Sequence, residues 1–203
     1  MPVHGQAQEH RADRLALLLG RAGDDAAVES VLAEEEHRLR GILGRYVFGV
    51  DDDTMESVVL DMLRRRGLSL AVAESVTGGI VGSRLTAIPG ASDVFRGGIV
   101  SYASEVKFSV LGVPEGPVVS ADAARVMAEG ERRVLGADVA LATTGVAGPS
   151  EQEGQPVGTV FLGLAMGEAS EAQRVQLPGD RQRIRQYAVI SAVNLLRRRL
   201  MRA

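Results

Sequence analysis

A chain of 203 residues, 45% apolar and 24% charged, is long enough for one α/β domain with a sizeable core and a small appendage. Its net charge of −3 gives no sign of a nucleic-acid or membrane-surface protein. No apolar stretch reaches the length of a membrane span, the Met1-Pro2-Val3-His4 start lacks a signal-peptide core, and the expected home is the cytoplasm. Cysteine is absent, which excludes disulfides, thiolate metal sites and a cysteine nucleophile.

Residues 1–12 are polar and read as a frayed end. Between 12 and 43, Leu15, Leu18 and Leu19, then Val28, Val31, Leu32 and Leu39, recur at helical spacing, with a break at 20–25. Residues 1–50 therefore read as an appendage or the tail of a preceding domain, ahead of a main domain at 51–203. The run Asp51-Asp52-Asp53 is better read as a helix entry than as a metal site: Asp53 or Thr54 caps, Glu56 sits in the first turn, and Arg64-Arg65-Arg66 with Gly67 ends the helix. Residues 68–73 form a buried strand and 78–87 a helix. Residues 94–102 form a strand whose paired glycines, Gly97 and Gly98, predict a bulge or a close backbone approach. A short helix follows at 105–111. Ser120 caps a long helix to about Leu135, with Val126, Met127 and Val134 expected to face inward. Strands are expected at 137–143, 158–166 and 172–177, with 150–156 as a flexible loop or lid, and Pro178-Gly179-Asp180 opens the last helix. Alternating strands and helices predict a three-layer α/β/α fold with a mixed β-sheet.

The chemistry begins at the strand-to-helix turn Ala73-Glu74-Ser75-Val76-Thr77-Gly78-Gly79. A serine there lies beside main-chain N–H groups of a helix start, where an oxyanion or a phosphate can be held; Thr77, Gly78 and Gly79 are the binding candidates. A serine needs a base. All three histidines (His4, His10 and His37) precede the main domain, so a Ser-His-Asp triad cannot form within it. The chain has 22 arginines and a single lysine, Lys107. Where arginine supplies nearly every positive charge, a lone lysine suggests a task arginine cannot perform: losing its proton when desolvated. A Ser75, Tyr102, Lys107 arrangement fits, with Tyr102 relaying a proton or donating to the leaving group. Ser104 is the rival nucleophile, because Ser104-Glu105-Val106-Lys107 matches a Ser-x-x-Lys pattern, but the companion motifs of that pattern are absent.

Several further stretches accompany these residues in order: Ile88-Pro89-Gly90-Ala91-Ser92, Gly98-Ile99-Val100-Ser101-Tyr102, Leu111-Gly112-Val113-Pro114, Thr144-Gly145-Val146-Ala147-Gly148-Pro149, Pro156-Val157-Gly158-Thr159-Val160 and Pro178-Gly179-Asp180-Arg181. Together with the Ser75 turn they resemble the CinA C-terminal domain family over roughly residues 51–200. The resemblance implies a nicotinamide-nucleotide amidohydrolase, which turns nicotinamide mononucleotide and water into nicotinate mononucleotide and ammonia in pyridine-nucleotide salvage. It implies Ser75 as nucleophile, Tyr102 and Lys107 as its activating partners, Thr144 and the loop from Gly145 to Gly148 lining the site, and Arg181 or Arg185 on the substrate. No metal or organic cofactor is required by that chemistry. The expected partner is a small nucleotide, with a homodimer as a further expectation. Val76 and Ser104 depart from the family pattern, which commonly has cysteine and asparagine there. The alternative reading is a non-catalytic nucleotide-binding or interaction module of a CinA-like protein.

Overall fold

The structure is a computed structural model, described here over residues 25–202. The patterns at 12–24, including Leu15, Leu18 and Leu19, lie outside the described residues. The chain divides into two units at Asp53/Thr54. In the first, helix α1 spans Asp25–Leu43 and runs into a short 3-10 turn at Gly44–Tyr46.

The second unit carries a five-stranded sheet in the order β2-β1-β3-β4-β5, with β1 Leu70–Glu74, β2 Phe95–Val100, β3 Val139–Gly145, β4 Thr159–Met166 and β5 Ala169–Gln176. β2, β1 and β3 run parallel, whereas β3, β4 and β5 are antiparallel neighbours, so the sheet is mixed. The helices are α2 Met55–Arg66, α3 Ile80–Thr86, α4 Ser104–Ser109, α5 Ala121–Leu135 and α6 Arg181–Leu200. One face of the sheet packs on α2, α3 and α6 and the other on α5, giving three α/β/α layers. Among the described residues no helix is long and apolar enough to cross a membrane.

Local chemistry explains the element ends. The Thr54 hydroxyl and Ser57 form a reciprocal capping box at the start of α2, and Gly67 closes it in the left-handed region at φ 62°. Ser120 and Asp180 accept from Ala123 N and Arg183 N at the starts of α5 and α6. Buried Glu56 pairs with Arg84 at 2.7 Å, joining α2 to α3.

The two faces of the sheet differ in size. Leu70, Val72, Val139 and Leu141 meet the large side chains of α2, α3 and α6. The other face is built from Ala73, Ala142 and Ala165 against Ala123, Met127 and Ala128 of α5. There the backbones approach closely: a Cβ on Gly163 would stand 2.0 Å from Ala124 O, and one on Gly130 would stand 2.0 Å from Leu111 O. Met127 faces inward as expected, but Val134 is exposed on the outer side of α5, because the rest of the inward stripe is alanine, glycine and Glu131. The expected irregularity in β2 is present as a register shift opposite Leu70 and Ala71. A Cβ on Gly98 would meet Val72 at 2.5 Å, so the backbone approach is close as well.

From β1 the chain passes through α3 to β2 on one side, then returns through α5 to β3 on the other. The winding reverses between β1 and β3. At such a switch point the connections leave in opposite directions and a crevice opens beyond the carboxyl ends of the strands.

Candidate active site

The crevice is a cleft of about 360 Å³ at that point. Its lining includes Ser75 and Val76 after β1, Tyr102, Ser104 and Lys107 after β2, Thr144 and Gly145 at the end of β3, the loop 146–152, and Arg181 at the start of α6. Connections far apart in sequence thus meet at one place.

Ser75 is fixed by its main chain: its N–H donates to Thr143 O at 2.9 Å, and its carbonyl accepts from Gly78 N at 3.1 Å. The turn closes with φ of 57° at Gly78 and 95° at Gly79, conformations that a side chain would oppose. Its tightness has a second source in Glu74. This buried carboxylate accepts from Gly79 N at 2.9 Å, Val81 N at 3.0 Å and Gly82 N at 2.8 Å. An anion at a helix start is favourable, and here the chain supplies its own. The N–H groups of Val76 and Thr77 have no partner among the described residues.

Lys107 is 2% exposed, on one turn of α4, and its Nζ donates to Ser101 O at 2.7 Å and Tyr102 O at 3.5 Å. Burial lowers its pKa from the usual lysine value, while Glu153 and, more weakly, Glu105 pull it back up. The lone lysine of the chain is therefore a desolvated amine that reaches the same cleft as Ser75.

Tyr102 is 60% exposed at the rim, and its hydroxyl accepts from Arg181 Nη2 at 2.7 Å. Arg181 Nη1 donates to Gly148 O at 2.9 Å, so one guanidinium ties α6 to two cleft loops. Thr144 is buried, its hydroxyl donating to Val118 O at 2.7 Å, which fixes the wall formed by Val118 and Val119. On the other side, Glu153 Oε2 accepts from Val119 N at 2.8 Å.

The structure thus brings Ser75, Tyr102, Lys107, Thr144, Gly145, Gly148 and Arg181 together, and Ser104 with them. Thr77, Gly78, Gly79 and Arg185 are not on the lining. Thr77 is fully buried, with its hydroxyl 2.7 Å from that of Thr143. Gly79 gives its N–H to Glu74, so it has none to offer a phosphate. Arg185 donates to Val76 O at 3.2 Å and Thr77 O at 2.8 Å and lies 3.0 Å from where a Cβ of Gly78 would be. These residues hold the serine turn from behind. Neither Glu74 nor Glu153 stands at a capping-box spacing, so local pattern does not signal them; the one sequence hint for Glu74 is a carboxylate just before a glycine-opened helix. Among the described residues no group of three or more His, Asp or Glu side chains could hold a metal ion.

Residues 52–200 match the family described as the CinA C-terminal domain. A CinA-like protein of Frankia casuarinae is 53% identical over 188 residues, 90% of this chain and 43% of that protein. A CinA-like protein of Geobacter metallireducens is 41% identical over 184 residues, 88% of this chain and 45% of that protein. The chain thus spans less than half the length of these relatives. Among solved structures, a competence-damaged protein (CinA) superfamily protein from Klebsiella pneumoniae superposes with a TM-score of 0.71 at 32% identity, covering 73% of this chain and 97% of that one. The competence/damage inducible protein CihA from Agrobacterium tumefaciens gives 0.69 at 30% identity, covering 75% and 97%. By its matching residues and by its fold, the chain belongs to the CinA family.

Proposed function

We propose that this cleft hydrolyses the amide of nicotinamide mononucleotide, with Ser75 as the nucleophile. The observation that carries the reading is the presence of the chain's single lysine, buried and with its pKa lowered, in the same cleft as a serine on a tight strand-to-helix turn. Neutral Lys107 takes the Ser75 proton as Oγ attacks the amide carbon. The developing oxyanion is met by main-chain N–H groups, for which the unpaired N–H of cleft-lining Val76 is the candidate. The carbon–nitrogen bond breaks as the nitrogen receives that proton, relayed from Lys107 through Tyr102; ammonia leaves, and an ester to Ser75 and a neutral Lys107 remain. Water, deprotonated by the same base, adds to that ester and releases the carboxylate with the serine restored.

Tyr102 fits a donor role. Its oxygen accepts from Arg181, which leaves the phenol proton free for the leaving nitrogen. Arg181, the cleft-lining cation at the rim, suits the phosphate of the nucleotide, with its planar fork offering paired bonds. In a family of this kind the reading calls for no metal or organic cofactor.

The test is to incubate the protein with nicotinamide, its riboside and its mononucleotide and to follow ammonia and the acid product. Turnover of the mononucleotide well above the riboside supports the reading. Equal turnover of all three would make the enzyme a general small-amide hydrolase. No turnover of any of them at micromolar enzyme over hours would leave a non-catalytic binding module.

A further inference from the structure

The surroundings of Lys107 extend beyond its own helix. Both of its hydrogen bonds go to main-chain carbonyls, and among the described residues it has no ion-pair partner. A buried ammonium without a counter-charge is costly. The charge that bears on it most comes from the loop at 150–156.

That loop is built. Gln152 and Gln155 exchange two main-chain bonds of 3.2 and 2.8 Å across a tight turn. Glu153 lies inside that turn at φ 54°, in the left-handed region, where a residue with a side chain is uncommon and must be held. What holds it is the 2.8 Å bond from Val119 N to its carboxylate. Ser150, Glu151 and Gln152, immediately before it, line the cleft, as does Val119, on which it is anchored.

We propose that Glu153 is a positioning residue of the cleft, an anionic brace that joins the 150–156 loop to the Val118 and Val119 wall and adds a second negative charge, beside that of Glu105, to the surroundings of Lys107. The inference rests on the reading of Lys107 as the base of the reaction. Glu105 on the lysine's own helix and Glu153 from the loop both favour the protonated amine, and Glu153 has the larger effect. Glu151, Tyr102 and Arg181 are the other ionisable groups on the lining, and Arg181 is engaged with Tyr102 and Gly148. A carboxylate in this place makes the lysine a stronger base than burial alone would leave it.

The single lysine makes the test direct. The full chain labelled at lysine Cε gives one side-chain resonance, that of Lys107, and its titration can be followed without substrate. Glu153→Gln keeps an acceptor for Val119 N and removes the charge, whereas Glu153→Ala removes both. The expected result is a Lys107 midpoint moved to lower pH by Glu153→Gln, further than by Glu105→Gln. The gap to the wild type should narrow in high salt, since Glu153 is exposed and its charge is screened. The acid limb of kcat/KM should move in the same direction. A midpoint unmoved by Glu153→Gln, or moved more by Glu105→Gln, overturns the proposal whatever the activity does. A midpoint that moves while the acid limb stays in place upholds the brace and removes Lys107 as the base.

Discussion

The Lys107 ammonium donates to the Ser101 carbonyl at 2.7 Å inside the protein, six residues back along the chain from its own Cα. This bond aims the amine into the cleft and fixes it at the end of β2. Arginine would carry the charge but could not give up its proton, and its wider planar head does not fit the space of an ammonium. Lys107→Arg should therefore lower kcat by at least about 100-fold, the lower range for loss of a general base. Near-normal turnover of nicotinamide mononucleotide by a folded Lys107→Arg protein would show that the base lies elsewhere. Ser104→Ala is expected to be mild, within about 10-fold, since removing one hydroxyl at the edge of the lining takes away only a single hydrogen bond of about 1 kcal/mol.

Arg181 and Tyr102 should separate in steady-state kinetics. If Arg181 takes the phosphate, Arg181→Gln raises KM for the mononucleotide by about 10-fold or more, the effect of losing a charge-assisted bond of roughly 1.5–3 kcal/mol. The same change should leave the riboside nearly unaffected. Tyr102→Phe keeps the ring and removes the proton donor, so the loss should fall on kcat. A Tyr102→Phe effect confined to KM would argue for a binding role instead.

Glu74 is the residue whose removal should loosen the serine turn. Three N–H bonds to one buried carboxylate make it the structural anchor of the β1-to-α3 connection. Glu74→Gln retains an acceptor but loses the charge and turns an amide donor toward those N–H groups. A loss of about 1–3 kcal/mol in denaturant unfolding is expected. An unchanged midpoint would mean that water or the main chain replaces the carboxylate at little cost.

Glu131 supplies a pH signature of stability. It lies fully buried on α5, and neither carboxyl oxygen has a well-formed hydrogen-bond partner. Burial pushes its pKa up from 4.5 to about 7; the Ile99 main chain opposes that rise and the nearby Glu74 charge adds to it. A carboxyl with a raised folded pKa stabilises fully below its unfolded value and loses that contribution as pH climbs through about 7. Glu131→Gln should therefore raise Tm at pH 8, by about 2–4 °C for each kcal/mol recovered. The gain should shrink toward pH 5. A difference in Tm that is constant between pH 5 and pH 8 would contradict a titrating, buried carboxyl.

Much of the frame was legible because its signals are local. Thr54 with Gly67, Ser120 with Gly136, and Asp180 each announce a helix end within a few residues. The strand, turn and helix around Ser75 were readable for the same reason, and the lone lysine among arginines stood out by its type. The inward face of α5 was not. Spacing suggested Val134, but the tight approach of α5 to β4 selects alanine and glycine, a fact that belongs to residues far away in the chain. The site shows the same division. Ser75, Tyr102 and Lys107 stand out by type, whereas Glu74 reaching five to eight residues ahead, Arg185 reaching back more than 100 residues to the serine turn and Glu153 anchored on Val119 depend on three-dimensional closure.

The most direct measurement compares wild type and Ser75→Ala side by side for ammonia release from nicotinamide mononucleotide, with circular dichroism and Tm showing that both are folded. The account predicts steady release of ammonia with stoichiometric nicotinate mononucleotide from the wild type, and a loss of at least about 1000-fold in the variant, in keeping with removal of a covalent nucleophile. Release by Ser75→Ala within about 10-fold of the wild type would contradict it.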